Sequence, residues 1–255
     1  MFMLLVTIGR YRLSPLSILA LALIVGGLGG LFKPDRESRL PCDPEAHTDC
    51  PAPTGGTAVT RLAPTGPVLS STEACADVGY LCAGLDESGR FVVRRWRDFS
   101  GPLVVFVPRP RLADEATALR LQRAAAAGIR LWNGQPFDVI VDQRGNREAH
   151  FRVQWIPNLG GAQIGIARTQ WSTSEGLTVR SIALVTQSPD RGLPIPSSQI
   201  RLTAAHEMGH ALGLPHSDQA RDVMYPMNTA SSLTARDYRT LEALYALEDG
   251  TEIVR

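Results

Sequence analysis

The amino-acid sequence predicts an α+β domain at residues 91–255, behind an apolar N-terminal stretch and a segment rich in Pro and Gly. Three observations predict this fold class. Short β-branched runs bounded by Gly and Pro lie on both sides of one long helical repeat. Two further helical repeats follow near the C-terminus. Strands, one long helix, more strands and then two helices is an order that fits an α+β fold.

The first half of the domain is predicted to hold one long helix between strands. Acidic Asp114 and Glu115 suit a helix N-terminus, and apolar residues recur every three or four positions from Ala118 to Trp132. The helix is therefore expected at about residues 113–132. Short runs with strand composition are found at residues 102–107, 137–141 and 151–155.

The second half is predicted to hold a hairpin and then two helices. Residues 162–171 and 179–186 are extended candidates, and the polar residues between them favour a turn. Ser197 or Ser198 is expected to cap a helix that runs to Leu212. Thr234, with Asp237 three residues later, predicts the start of an amphipathic closing helix.

A motif with metal-ligand spacing, HEMGHALGLPH, occupies residues 206–216. His206 and His210 are four residues apart, so a helix places both imidazoles on one face, where they can bind one ion. Glu207 lies next to the first ligand and predicts a general base that does not itself bind the metal.

The end of the same motif predicts a third ligand. Gly213 can adopt positive φ and end the helix, which lets the chain turn and return His216 to the metal. Three nitrogen ligands leave a fourth position for water, as in catalytic zinc sites. The sequence thus predicts one catalytic Zn²⁺ bound by His206, His210 and His216.

These residues match the metzincin zinc signature H-E-x-x-H-x-x-G-x-x-H and resemble the matrixins, of peptidase family M10 type. DVMYP at residues 222–226 resembles the Met-turn, and Ser217 after the third His is similar to the matrixin choice. The resemblance covers roughly residues 95–248. It implies a metzincin-like catalytic domain with a mixed twisted sheet, an active-site helix and a C-terminal helix, in which Met224 packs beneath the ligand imidazoles.

The resemblance implies a zinc metalloendopeptidase (EC 3.4.24.-) that hydrolyses internal peptide bonds through a zinc-bound water activated by Glu207. The expected partner is a protein or peptide substrate, which would pair with an edge strand at residues 163–168. The alternative is an edge strand that binds no substrate. Two other functions stay open: a membrane-tethered metzincin-fold binding protein without turnover, and a narrow processing enzyme or aminopeptidase.

Other ions have less basis in the sequence. Many animal matrixins hold a second zinc, but only His47 and His150 remain once three ligands are assigned. Calcium is kept as a second candidate ion, although the chain lacks an evident acidic calcium loop. The formal net charge of +1 with 20% charged residues argues against nucleic-acid binding.

The N-terminus, residues 1–32, is predicted to be a membrane anchor or a signal segment. Leu13–Phe32 carries no charge and is long enough to cross a bilayer as a transmembrane helix. A retained anchor would leave the catalytic domain membrane-bound outside the cytoplasm, and a cleaved signal would release it by secretion.

Residues 33–90 are predicted to be a linker or pro-region, because Pro, Gly, Ser and Thr are frequent there. All four cysteines lie in this segment: Cys42, Cys50, Cys75 and Cys82. An even number in an exported chain predicts two disulfides, for which pairing between near neighbours is one option and the pairing stays open. Alternatively, a thiolate such as Cys42 could block the zinc, since LPCDP at residues 40–44 faintly resembles a matrixin propeptide motif.

Overall fold

A five-stranded mixed sheet forms the centre of the fold. The computed structural model describes residues 66–75, 79–97, 101–134, 136–189 and 192–255, which all belong to one unit, Arg61–Arg255. The strands of this sheet are β3 (Leu103–Phe106), β4 (Val139–Asp142), β5 (Phe151–Ile156), β6 (Gly165–Ser172) and β7 (Gly176–Val185). Their order is β4-β3-β5-β7-β6. The predicted strands and the mixed sheet are therefore confirmed.

Strand β6 is the outer strand of the sheet and the only one in it that runs antiparallel to its neighbour. It joins β7 through the predicted hairpin, and the other three pairings in the sheet are parallel. The expected edge strand is thus present in the part of the chain that the structure describes.

Three long helices accompany the sheet: α2 (Glu115–Ile129), α3 (Ser197–Ala211) and α4 (Ala235–Ala246). A 3-10 turn, Arg130–Trp132, extends α2. Helices α2 and α3 approach closely at Gly128, where a Cβ would lie 2.1 Å from the Arg201 carbonyl oxygen. The core between helices and sheet is built mainly from Leu, Ile, Val and Ala, with Trp132 and Met224 fully buried. The fold class predicted from the sequence is confirmed.

The helix caps agree with the sequence in two of three cases. Asp114 accepts hydrogen bonds from two backbone N–H groups at the start of α2, and Thr234 forms a capping box with Asp237 at α4. The predicted cap of α3 by Ser197 or Ser198 is wrong. Pro196 occupies the N-cap position, and the buried Ser197 hydroxyl has no partner among the described residues. Proline fixes the extended entry, so α3 begins without a side-chain cap.

A second, three-stranded sheet was not predicted. It contains β1 (Val68–Ser70), β8 (Glu252–Val254) and β2 (Arg90–Val92), in that order, and a short helix α1 (Ser71–Cys75) follows β1. Tyr80 and Leu81 are buried in the main core. Part of the segment predicted as linker or pro-region, residues 33–90, is therefore folded onto the unit. Strands of three residues carry too little local pattern to be recognised from the sequence. Their pairing partners also lie far away in sequence.

One near-neighbour disulfide joins Cys75 and Cys82, whose Cα atoms are 5.9 Å apart. This confirms a disulfide between near neighbours for that pair, whereas Cys42 and Cys50 lie outside the described residues. The predicted membrane span Leu13–Phe32 also lies outside them. Within the part of the chain that the structure describes, none of the helices combines the length and apolar character needed to cross a bilayer.

Candidate metal centre

The three predicted histidines are brought together by the end of α3 and the turn that follows it. His206 and His210 lie one helical turn apart on α3, which ends at Ala211. Gly213 then adopts φ of +98°, and its N–H donates to the His210 carbonyl oxygen. A side chain at Gly213 would clash, because a Cβ there would lie 2.1 Å from the Arg94 carbonyl oxygen. The tight turn returns His216 towards the helix.

The Nε2 atoms of the three imidazoles converge on one point. His210 Nε2 lies 3.1 Å from His206 Nε2 and 3.1 Å from His216 Nε2. Tetrahedral zinc with Zn–N distances of 2.0–2.1 Å places its ligand nitrogens about 3.3 Å apart. Exposure increases from buried His206 through half-buried His210 to exposed His216, so the centre opens towards solvent on the His216 side.

Hydrogen bonds of the Nδ1 atoms determine which tautomer His206 and His210 adopt. Nδ1 of His206 lies 2.8 Å from the Val223 carbonyl oxygen, and Nδ1 of His210 lies 2.9 Å from that of Leu214. A carbonyl oxygen only accepts, so both Nδ1 atoms carry the proton. Burial lowers the pKa of His206 to about 4 and that of His210 well below its ordinary value, which keeps both rings neutral.

Neutral rings protonated at Nδ1 carry lone pairs on their Nε2 atoms. The lone pairs of His206 and His210 face each other at 3.1 Å and cannot form a hydrogen bond with one another. A cation bound between them removes this repulsion and uses both lone pairs. The three imidazoles therefore fit zinc. Imidazoles that bind zinc commonly donate their other ring N–H to a carbonyl oxygen, as His206 and His210 do here.

Glu207 is buried beside this trio, and its carboxylate contacts the edge strand. Its Oε2 accepts a hydrogen bond of 2.7 Å from the backbone N–H of Ala167 on β6. Strand and helix are close here because Gly165 has no side chain, and a Cβ there would lie 2.4 Å from the Thr203 methyl. Burial raises the pKa of Glu207 to about 8, although a nearby cation would favour the ionised form. The Ala167 contact was not predictable, since any backbone N–H can donate.

The Met-turn packs directly beneath the motif helix. Met224 is fully buried, and a Cβ on Gly209 would lie 2.2 Å from its sulfur. The turn is also joined to Ser217, the residue after His216, because the Ser217 N–H donates a hydrogen bond to the Met224 carbonyl oxygen. Met224 therefore supports the helix segment between His206 and His210.

Two fully buried carboxylates, Asp222 in the Met-turn and Asp237 on α4, fix the conformation of the Met-turn. Asp222 accepts hydrogen bonds from the Ser217 and Thr234 hydroxyls and pairs with the Arg236 guanidinium. Asp237 accepts from the backbone N–H of Val223, 3.2 Å away. The sequence marked Asp222 only as part of the Met-turn motif and Asp237 only as a helix cap. Their buried roles depend on long-range contacts that spacing does not encode.

Of the residues that the structure describes, only the histidine trio forms a group of three or more His, Cys, Asp or Glu that could hold a metal. Calcium thus gains no support.

A comparison with protein families matches residues 141–246 to the family model described as Matrixin. The matched part contains β5 to β7, the motif helix, the Met-turn and α4.

Proposed function

We propose that this matrixin-like zinc metalloprotease is an endopeptidase in which Glu207 moves the proton during hydrolysis of internal peptide bonds. One observation carries the proposal: three converging imidazole nitrogens lie beside a buried carboxylate that is a neighbour of the ligands but not one of them. That combination provides a metal position and a separate acid–base group. The ligand and base assignments remain predictions that the experiments below test.

The chain's own residues divide the chemical work. His206, His210 and His216 would hold a zinc ion, which would supply an acidified water and a Lewis acid for the substrate carbonyl. Glu207 accepts a proton from the attacking water and then donates it to the leaving nitrogen, so that the proton balance closes within one turnover. Burial raises the pKa of Glu207, which favours donation of the proton, and a bound cation would lower it, which favours uptake of the proton. The Ala167 N–H fixes one carboxylate oxygen and thereby orients the other.

The edge strand supports a peptide substrate in extended conformation. β6 is the outer strand, and Glu207 is bonded to its residue Ala167. A peptide that pairs with β6 would therefore pass close to the acid–base group. Strand pairing uses the peptide backbone, which is the same at every residue, and so favours cleavage within a chain over recognition of a terminus.

Glu207→Gln tests the base assignment. The amide keeps the shape but cannot take up the proton, so we expect turnover to fall by at least about 100-fold, in the range for loss of a general base. Zinc content, measured by elemental analysis, should stay at the wild-type level. Glu242→Gln on the exposed side of α4 is the matched control and should leave both quantities unchanged. Wild-type turnover by Glu207→Gln would show that another group is the base.

Cleavage of a mixed peptide library, read by mass spectrometry, separates the three candidate activities. Internal cuts are the expected result. Trimming from one end would identify an aminopeptidase, and a single cleaved sequence would identify a narrow processing enzyme. No cleavage by protein that contains zinc would favour a binding protein with a metzincin fold. Trimming from one end, or no cleavage, would contradict the endopeptidase proposal, whereas a single internal cut would restrict its specificity.

We further propose that residues 1–32 direct the catalytic domain out of the cytoplasm, as a retained anchor or as a cleaved signal. The Cys75–Cys82 disulfide supports this, because structural disulfides persist in oxidising compartments. Membrane fractionation and treatment of intact cells with an external protease test the proposal. Protein found only in the cytosolic fraction would contradict it.

A further inference from the structure

Tyr80 belongs to the N-terminal segment, far from the metal motif in sequence, yet it lies deep in the core. The residue is only 2% exposed. Its hydroxyl donates a 2.9 Å hydrogen bond to Oδ1 of Asp237 on α4, across 157 residues of sequence. Tyr80 is not needed for capping α4, because Thr234 already forms the capping box with Asp237.

From Asp237, buried hydrogen bonds continue to the first metal ligand. Oδ2 of Asp237 accepts from the Val223 N–H at 3.2 Å. The Val223 carbonyl oxygen in turn accepts from Nδ1 of His206 at 2.8 Å. Tyr80, Asp237, Val223 and His206 thus form one continuous series in which each group fixes the next. The His206 bond sets both the tautomer and the tilt of its imidazole.

The segment that carries Tyr80 is docked closely onto α4. The Tyr80 N–H donates to the Thr240 hydroxyl at 3.1 Å, and the Gly79 carbonyl oxygen accepts from Arg236 at 2.9 Å. Gly79 adopts φ of +57°, and a Cβ there would lie 1.8 Å from the Thr240 hydroxyl oxygen. The Cys75–Cys82 disulfide closes a short loop around these residues. Gly79 before Tyr80 and the disulfide at Cys82 after it therefore help to hold Tyr80 in place.

We propose that Tyr80 is a positioning residue for the metal centre, which acts through Asp237 and Val223 on the orientation of His206. The identity of the metal as zinc rests on the proposed function. Tyr80 does not touch the metal or the substrate in this scheme. Burial, together with the charge of Asp237, raises the pKa of Tyr80 far above its ordinary value, so its hydroxyl remains a donor at physiological pH.

A purely structural role for Tyr80 makes a different prediction. If the hydroxyl only stabilises the fold, its removal lowers the free energy of unfolding and leaves the folded metal site unchanged. If it positions His206, the folded protein binds its metal with altered geometry and releases it faster. Metal release and the spectrum of a substituted ion separate these two roles, because both are measured on folded protein.

The experiment compares Tyr80→Phe with Tyr238→Phe in the full-length protein. Tyr238 is the matched control: its hydroxyl also donates a hydrogen bond, to the Leu131 carbonyl oxygen at 2.8 Å, but it does not join the series to His206. Zinc release is measured with an excess of a coloured chelator. The d–d absorption of the Co²⁺-substituted protein reports the ligand geometry.

We expect Tyr80→Phe to release zinc about tenfold faster than wild type, the lower end of the effect of removing outer hydrogen-bond partners. Its Co²⁺ bands should shift, and Tyr238→Phe should match wild type within about twofold in release rate. Equal release from wild type and Tyr80→Phe, with unchanged Co²⁺ bands, would overturn the proposal. So would equal acceleration in both variants.

Asp237→Asn provides a second test in case Tyr80→Phe does not fold. The amide keeps the side-chain shape but accepts more weakly, and the same faster release and shifted bands are expected. Wild-type release and spectrum in this variant would count against the series. Failure of the proposed function looks different: wild-type protein would then lack bound zinc or peptide hydrolysis, whatever residue stands at position 80.

Discussion

Replacing Gly213 by alanine tests how the chain returns the third histidine to the metal. Gly213 adopts φ of +98°, in the left-handed region that side chains avoid. Alanine would also place its Cβ 2.1 Å from the Arg94 carbonyl oxygen, a backbone atom that cannot rotate away. Two separate penalties therefore act at this position: one from backbone conformation and one from packing.

Gly134 separates these penalties, because it has a similar φ of +87° but nothing lies within 4 Å of its Cβ position. Gly134→Ala should cost only the conformational part, about 1–2 kcal/mol. Gly213→Ala should cost this amount plus about 1–3 kcal/mol for overpacking, or about 2–5 kcal/mol in total. A typical domain is stable by about 5–15 kcal/mol, so the variant can remain folded but marginal.

Urea unfolding of both variants and the wild type, with zinc and with chelator, measures these differences. We expect the excess destabilisation of Gly213→Ala over Gly134→Ala to be larger with zinc present, because relief of the clash displaces His216 and weakens zinc binding. Equal unfolding free energies for the two variants would refute the packing explanation. Normal zinc affinity in a destabilised Gly213→Ala would refute the link between the turn and the third ligand.

Two further predictions concern the metal and the disulfide. Chelation of zinc should abolish peptide hydrolysis. It should also lower the free energy of unfolding by about 4 kcal/mol relative to protein with free zinc at about 1,000 times the dissociation constant. A melting temperature that does not change with chelator would contradict this. Replacing Cys75 and Cys82 by serine opens a loop with a sequence separation of 7, which should lower stability by about 2.5 kcal/mol on the loop-entropy estimate. Calorimetry checks this value, and an unchanged melting temperature would show that packing alone holds the segment.

The elements that local pattern specifies were predictable from the sequence. Helix α2 was expected at about residues 113–132 and is found at Glu115–Ile129 with a 3-10 extension to Trp132. Its apolar spacing and acidic N-terminus act within a few residues of each other, so no distant contact is needed to recognise them. The histidine motif is local in the same sense, because eleven consecutive residues contain all three candidate ligands and the turn glycine.

The segment before residue 93 was not predictable by the same means. Strands β1, β2 and β8 are three residues long, and β1 and β8 are joined across the whole length of the domain. Their stability comes from each other and from the core beneath them rather than from propensity. Pro and Gly, which are frequent up to Pro67, indicate turns and linkers, and this composition conceals the buried Tyr80 and Leu81 that follow.

The candidate site shows the same division between local and distant information. His210 takes its tautomer from the Leu214 carbonyl oxygen, which lies within the motif itself. His206 takes its tautomer from Val223, which is held by Asp237 and through it by Tyr80. The sequence could therefore predict which imidazoles come together as candidate metal ligands, because their type and spacing are local. It could not predict what fixes the first ligand's proton and orientation, since that depends on a carboxylate and a hydroxyl supplied by two distant segments.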